Sequence, residues 1–405
     1  GMLTGQLPSH NDVYNNHHII GSDQATFLHS LAAAGYETVL CGRMHFKGPD
    51  QSHGFTRRIF GDITRIFVGG VGDFGPYSGT VGMGGCMNLI GGGNSPVLQY
   101  DKEVLKTALD YLEEDHDKPQ CIVVGTYGPH FSYVAPPELY EYYRDRVRVP
   151  TSWNPEKADP NPLADDKRQR VRESVVTGKE EKVTEELLLA ARAAYFGMIT
   201  RLDRQIGRLR DAWGDYLQRA GRRGLFIYTS DHGDTVGEHG IFGKQTFYDG
   251  SARIPLLFEG DGISSGHRTV GPVTLVVLHE PPAQDGRSLE PALQDDINNS
   301  SRAVLAEWVE DWRGERTPGR MVRKGEWKLI RYRHPDIPDQ LFNVVEDPDE
   351  IQNRADTRPE VAEELGDHLE EGWQPKRIAP RFAEKSRHCR LLARWQNAVQ
   401  PEEAH

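Results

Sequence analysis

No stretch of the 405 residues is apolar for long enough to cross a membrane as a helix. Basic excess is also missing: 48 Lys and Arg stand against 60 Asp and Glu, a formal net charge of -12. A chain of that balance has little with which to displace counterions from phosphates, so no nucleic-acid partner is expected, while a local cationic pocket for a small anion remains compatible. Cysteine is scarce. Cys41, Cys86, Cys121 and Cys389 stand far apart without C-x-x-C spacing, which suits free thiols in a reducing compartment better than a disulfide framework or a zinc site. The cytoplasm is the expected location, with the bacterial periplasm the alternative should a leader precede. No internal repeat is present. The opening "GMLTGQLPSHN" lacks the look of a lead into a first strand: Gly1 before Met2 reads as the remnant of a cleaved tag, and the small-residue turn as a connector already under way.

What is present alternates. Ser22 is placed to cap a helix with Phe27, Leu28 and Leu31 on one face, ended by Gly35, and "ETVLC" comes next as a buried strand. The alternation returns as a helix from about residue 101 to 114, a strand "CIVVGT", a long helix, a strand "LFIYTS" and later "IPLLF". Such units imply a mainly parallel sheet with helices on both faces. In the long helix Leu187, Ala191, Tyr195, Met198, Leu202, Ile206 and Leu209 make one apolar stripe, a structural feature without chemistry. Residues 69–93 are crowded with glycine and read as an irregular loop, and the charged, proline-bearing 154–182 as a solvated connector. After about residue 270 the pattern changes: "RMVRKGEWKLIRY" predicts two strands about a Gly-Glu turn, "DQLFNVV" a third, and 359–371 a helix. The chain thus divides into 1–270, an α/β unit, and 271–405, a smaller α+β unit with an antiparallel sheet.

In an open parallel sheet, ligands bind beyond the carboxyl ends of the strands. "ETVLC" runs into Arg43 and His45, "CIVVGT" into His130, and "LFIYTS" into Asp231, His232 and Asp234. Adjacent Asp and His offer a hard oxygen and an imidazole nitrogen to a divalent cation, and Lys244 in "IFGKQTF" adds a point charge suited to a tetrahedral anion. Taken singly, each histidine is as readily a solvated loop residue, Asp231 a turn cap over Gly233, and Lys244 a surface lysine. Convergence of three strand ends on one edge is what favours a single anion-binding, metal-assisted site.

The segment "TSDHGDTVGEHGIFGKQTFYDGSARIPLLF" resembles the metal and sulfate loop of the type I sulfatases, in the alkaline phosphatase superfamily, and "GRMHFKGPDQSHGF" is similar to the segment after their second strand, especially in the choline-sulfatase-like branch. "YFGMITRLDRQIGRL" and "DQLFNVVEDPDEIQNRAD" extend the resemblance over nearly the whole chain. It implies an alkaline-phosphatase-like α/β fold, a mixed and mainly parallel sheet covered by helices with a C-terminal α+β subdomain, and hydrolysis of a small sulfate ester of the aryl or choline type. By the resemblance Asp231 and His232 are metal ligands, His45, His130 and Lys244 hold the sulfate, and Asn16 contacts substrate. Arg43 stands where the family usually has lysine, which keeps the charge and changes its geometry.

The family's formylglycine motif, C-x-P-x-R or S-x-P-x-R, is absent: no cysteine here has proline two and arginine four residues later. Its first strand, with two further aspartate ligands, is missing too. The chain therefore reads as an amino-terminally truncated sulfatase, impaired or inactive as it stands, with formylglycine expected only in the missing segment. Its divalent metal, calcium or else magnesium or manganese, would be held weakly. A lost strand leaves its neighbours an unpaired edge or a gap, for which a homo-oligomer is one expected compensation. The rival readings are a phosphate or phosphonate monoester hydrolase on the same fold and a non-catalytic anion-binding relative. Tyr77 or Trp395 would be candidates to face a quaternary ammonium.

Overall fold

The strand Glu37–Gly42 (β1) lies at the centre of three, paired in parallel with Arg57–Phe60 (β2) on one side and Gln120–Gly125 (β4) on the other. The computed structural model describes residues 1–63, 89–154, 156–174, 183–268, 272–273, 289 and 302–399. Val39, Leu40 and Cys41 in β1 are wholly buried, as a continuous apolar run between two helical layers requires. A shorter parallel pair joins Ile90–Gly92 (β3) to Tyr133–Ala135 (β5). Most of the glycine-crowded stretch lies outside the described residues, as does Tyr77.

Two helices carry the core. The first, Pro96–Glu113, begins five residues earlier than its apolar pattern suggests, because Ser95 accepts the Leu98 N–H at 3.2 Å and Pro96 sits where no N–H is needed. The second, Glu185–Ala220, is capped by Thr184 through the Leu187 N–H at 3.2 Å and ends at Gly221 in the left-handed conformation, φ 61°. Ala191, Ala194 and Met198 from this helix meet Val97, Tyr100, Val104 and Ala108 from the other in one cluster with Cys41 and Tyr133. Gly197 lets the long helix close on β5, since a Cβ there would lie 2.8 Å from that of Ala135.

Three expectations are corrected. The helix after Ser22 is Phe27–Ala33, capped at Thr26, whose N–H donates to His29 Nδ1 at 3.1 Å; Ser22 lies four residues upstream of that cap. Residues 154–182 do not form a plain solvated connector, for Pro162–Ser174 is a helix. Its charges look solvated in sequence and are instead paired: Lys167 meets Glu310 at 2.5 Å with both side chains buried, and Arg168 donates to the carbonyls of Asp159 and His239. "IPLLF" is also not a parallel strand. Leu256–Gly260 (β7) pairs antiparallel with Leu225–Thr229 (β6), and among the described residues neither joins β4. The connection between them carries only short helical turns, whereas a parallel return needs a crossover of a dozen or more residues, usually helical, laid across the sheet.

The last sheet is a meander, Ala303–Trp312 (β8), Glu315–Lys324 (β9), Trp327–Tyr332 (β10) and Gln340–Asn343 (β11), all antiparallel. Sequence reasoning found three of its strands and missed β8. The helix Pro359–Glu370 packs on one face, burying Leu365 and Leu369 against Val322 and Leu329. Trp395 is half exposed on the final helix, Pro375–Val399, which the sequence pattern also did not reveal. Contacts cross between 1–270 and 271–405. The Ser9 N–H and hydroxyl donate to Glu307 at 2.9 and 3.0 Å, and fully buried Lys328 meets Asp249 and Glu350 at 2.5 Å each.

Removing one partner of a buried ionic cluster strands the others, so Lys328→Met should destabilise the chain by about 3–5 kcal/mol in chemical denaturation, whereas exposed Lys106→Met, whose ion pair with Asp110 lies on the surface, should leave the midpoint nearly unchanged. His239 is buried and stacked on Tyr248 at 3.8 Å, and burial with nearby Arg168 and Lys328 lowers its pKa to about 3. A histidine depressed on folding supplies stability that is present above its unfolded pKa near 6.5 and is lost as pH falls toward the folded value. Stability should therefore fall by up to about 1.4 kcal/mol per pH unit below pH 6.5 on account of this group. His239→Asn, which tolerates the local φ of 54°, should flatten that slope in melting curves run at pH 7 and pH 5.

Candidate active site

The loops leaving β1 and β4 touch because two glycines face each other. The Arg43 N–H donates to the Gly125 carbonyl at 2.8 Å; a Cβ on Gly42 would lie 2.3 Å from that oxygen and one on Gly125 1.8 Å from the Arg43 carbonyl. Beneath the loops sit carboxylates, Asp62 and Asp101 buried and Asp234 partly so. Asp62 accepts the N–H groups of Met44 at 3.0 Å and His45 at 2.7 Å, and Asp101 those of Tyr127 at 2.7 Å and Gly128 at 3.0 Å. Asp234 accepts from Val236 N–H at 3.0 Å, Gly243 N–H at 2.8 Å and the Tyr133 hydroxyl at 2.9 Å. Each acid pins the loop that carries one candidate side chain: His45, His130 and Lys244 in turn. Sequence reasoning missed Asp62, Asp101 and Tyr133. One signal was available, since Asp101 stands on the apolar stripe of its helix between Tyr100 and Val104.

Arg43, His45, His130, Asp231, His232 and Lys244 all line one groove at the carboxyl ends of β1, β4 and β6. Asn16 is exposed and is not among the groove's lining residues. His232 donates from Nδ1 to the Gly233 carbonyl at 2.8 Å, which leaves the Nε2 lone pair toward Lys244 Nζ at 2.6 Å and beside Asp231 Oδ2 at 3.3 Å. The His130 ring lies 5.9 Å from that of His232, and the Arg43 guanidinium lies 4.9 Å over Tyr127. Among the described residues the buried Arg43 Nε has no hydrogen-bond partner. Such an orphan donor in a polar groove marks a place for an acceptor.

The charges are unbalanced toward the positive. Burial, with Arg43 and against the pull of Asp231 and Asp234, lowers Lys244 to about 8. Burial, with Arg43, Lys47 and Lys244, brings His45 to about 4, and burial with Lys244, Arg43 and His232 holds His130 well below its usual range. Both imidazoles are therefore neutral at pH 7. Asp231 is the open acid of the group, 65% exposed into the groove; burial pushes its carboxyl up, and His232, Arg43 and Lys244 together outweigh this and hold it low. An anion with several oxygens would relieve this field.

The cation site implied by the resemblance fares differently. Asp231 and His232 offer two donors, no group of three or more His, Cys, Asp or Glu ligands forms among the described residues, and His232 Nε2 already faces an ammonium. Asp234, a neighbouring acid, is committed to two N–H groups and a hydroxyl. Calcium takes six to eight oxygens. The described residues do not by themselves fit such an ion.

The sulfatase family profile matches residues 1–276. Choline-sulfatase of Rhizobium meliloti (strain 1021) is 33% identical over 386 residues, covering 87% of this chain and 72% of that protein. Arylsulfatase K of Xenopus laevis is 26% identical over 403 residues, 91% and 71% of the two chains. Among solved structures, the phosphonate monoester hydrolase of Agrobacterium radiobacter has a TM-score of 0.70 at 19% identity, covering 91% of this chain and 84% of that one, a likeness that speaks to the fold. With most of its length matched by the family profile and a relative at one-third identity, this chain belongs to the sulfatase family.

Proposed function

We propose that residues 1–405 supply the anion-holding half of a hydrolase of sulfate monoesters, and that turnover needs a formylglycine nucleophile these residues do not contain. The observation that carries the reading is the convergence of Arg43 and Lys244, with Arg43 Nε unpartnered, beside two neutral imidazoles in one groove. Lys244 and Arg43 take the non-bridging oxygens of the sulfuryl group, where fixed cations in a partly dry site stabilise growing charge without reorganisation. His130 Nδ1 donates to the Phe131 carbonyl at 3.3 Å, so the other nitrogen of this neutral ring bears a lone pair and can accept a proton from the attacking nucleophile, while the leaving ester oxygen takes its proton from water. No step is assigned to a metal. The choline-sulfatase relative makes choline sulfate the first substrate to try; Trp395, half exposed on the last helix and outside the groove lining, is not the aromatic face for its ammonium.

A phosphonate or phosphate monoester hydrolase is the second reading, favoured by the structural likeness to the Agrobacterium enzyme and by an anion site that suits either tetrahedral group. Both are tested by expressing 1–405 and a longer chain that encodes C-x-P-x-R upstream, with formylglycine maturation available. On 4-nitrophenyl sulfate and choline sulfate the longer chain should turn over repeatedly and 1–405 should not. Comparable turnover by 1–405 would require a nucleophile elsewhere, and a longer chain faster on 4-nitrophenyl phosphonate than on the sulfate would favour the second reading.

Binding can be read without turnover. Sulfate titrated calorimetrically into 1–405 should bind roughly 10- to 100-fold more weakly to Lys244→Ala or Arg43→Ala, the loss expected for a charge-assisted hydrogen bond. Arg43→Lys restores the residue usual in the family and should keep affinity within about tenfold. Unchanged binding in both alanine variants would place the anion elsewhere.

A further inference from the structure

One residue in the loop that carries Lys244 is held from both sides. The Val236 N–H donates to Asp234 Oδ1 at 3.0 Å, and the Val236 carbonyl accepts from the Arg192 guanidinium, on the long helix Glu185–Ala220, at 2.9 Å. Val236 needs this hold. It stands at φ 38°, in the left-handed region where a β-branched side chain crowds the backbone, a conformation that persists only when its surroundings enforce it. Its side chain is buried with Ala191, Ala194 and Met198 of the same helix, so the carbonyl is largely shut away from water and must find its donor within the protein. Arg192 supplies it.

From that peptide a short line of hydrogen bonds reaches Lys244. Asp234 Oδ1, which takes the Val236 N–H, also takes the Gly243 N–H at 2.8 Å, and the Thr235 N–H and hydroxyl close the loop on the Gly243 carbonyl at 2.8 and 3.1 Å. Lys244 is the next residue, set between Gly243 at φ 78° and Gln245 at φ 75°, so the direction of its side chain follows the backbone on either side. We propose that Arg192 is a positioning residue for Lys244: by holding the Val236 carbonyl it fixes the loop 234–244, and with it the amine that meets the anion. Arg192 itself is not among the residues lining the groove. Its guanidinium lies 5.8 Å over the Phe196 ring, and it draws the Glu238 carboxyl of the same loop down against the upward push of burial. Both contacts steady the fork that grips the carbonyl. That Lys244 holds the anion rests on the proposed function; the hold on the loop stands on the bonds alone.

The test is a double-mutant cycle on 1–405, read by calorimetric titration with sulfate. Arg192→Ala should weaken binding about three- to tenfold, and the same change made in Lys244→Ala should cost nothing further, because a residue that acts through Lys244 has no effect in its absence. A general loosening of the fold would weaken both backgrounds alike. Arg192→Lys keeps one donor and the charge, and should recover most of the affinity. Hydrogen exchange reads the hold without any anion: the Gly243 amide should exchange at least about tenfold faster in Arg192→Ala, while the amides of Leu40 and Cys41 in β1 stay unchanged. Should Arg192→Ala fail to fold, Arg192→Gln takes its place in both measurements. Sulfate binding as tight as that of the parent chain, an equal loss in the Lys244→Ala background, or unchanged exchange at Gly243 would overturn the positioning role. Parent-like sulfate binding by Lys244→Ala, with exchange at Gly243 still raised by Arg192→Ala, would instead count against the proposed function and leave the dependence of the loop on Arg192 standing.

Discussion

Carboxylates spent on backbone N–H groups hold this site together. Asp62, Asp101 and Asp234 come from three parts of the chain, and each accepts two main-chain donors from a loop that would otherwise carry them unsatisfied beneath a polar groove. Unpaired buried N–H groups are costly, so the loops have few other conformations to adopt, and the side chains they carry are fixed in part through the backbone. The two glycines that let the Arg43 and Tyr127 loops meet serve the same end, removing the Cβ atoms that would force them apart.

The electrostatics are a consequence of that use of acid. A carboxylate closed around two N–H groups offers little to a neighbouring cation, and burial presses Asp101 toward protonation, its pKa raised to about 6 despite those donors. Among the described residues Arg43 and Lys244 are then left with Asp231 as their open counter-charge, and burial first, with these two cations added to it, keeps His45 and His130 neutral. The positive field of the groove thus derives from how the loops are anchored, as much as from which residues line it.

Much of this was legible in sequence, for identifiable reasons. Strand ends leading into Arg43, His130 and Asp231 could be read because apolar runs of five or six residues mark a buried strand, and the polar residues just after such a run lie at the sheet's edge. The helix Pro162–Ser174 could not, because its charges resemble solvated ones until Glu310, almost 150 residues away, is seen to pair with Lys167. The antiparallel return of β7 was hidden for a related reason: strand direction is set by the connection, and 230–255 carries no periodic pattern to show that it lacks a crossover helix. Asp62 escaped notice because its role is defined by the backbone of residues distant from it.

The C-terminal sheet belongs to the site's support even though none of the candidate side chains comes from it. Gly233, next to His232, donates its N–H to the Ser251 carbonyl at 2.8 Å and packs so closely that a Cβ there would meet the Gly250 carbonyl at 2.2 Å. Two residues before Ser251 is Asp249, gripped by Lys328 from β10 and by Arg323 from β9, with its N–H donated to Glu350 at 2.5 Å. The chain of contacts runs from a fully buried lysine in the meander, through one short helix, Asp249–Ala252, to the backbone that orients Asp231 and His232. A boundary drawn near residue 270 marks where the sequence pattern changes. It does not mark where the forces that shape the groove stop, because the ionic cluster about Lys328 is buried deeply enough for its loss to be felt at the loop of Asp231 and His232.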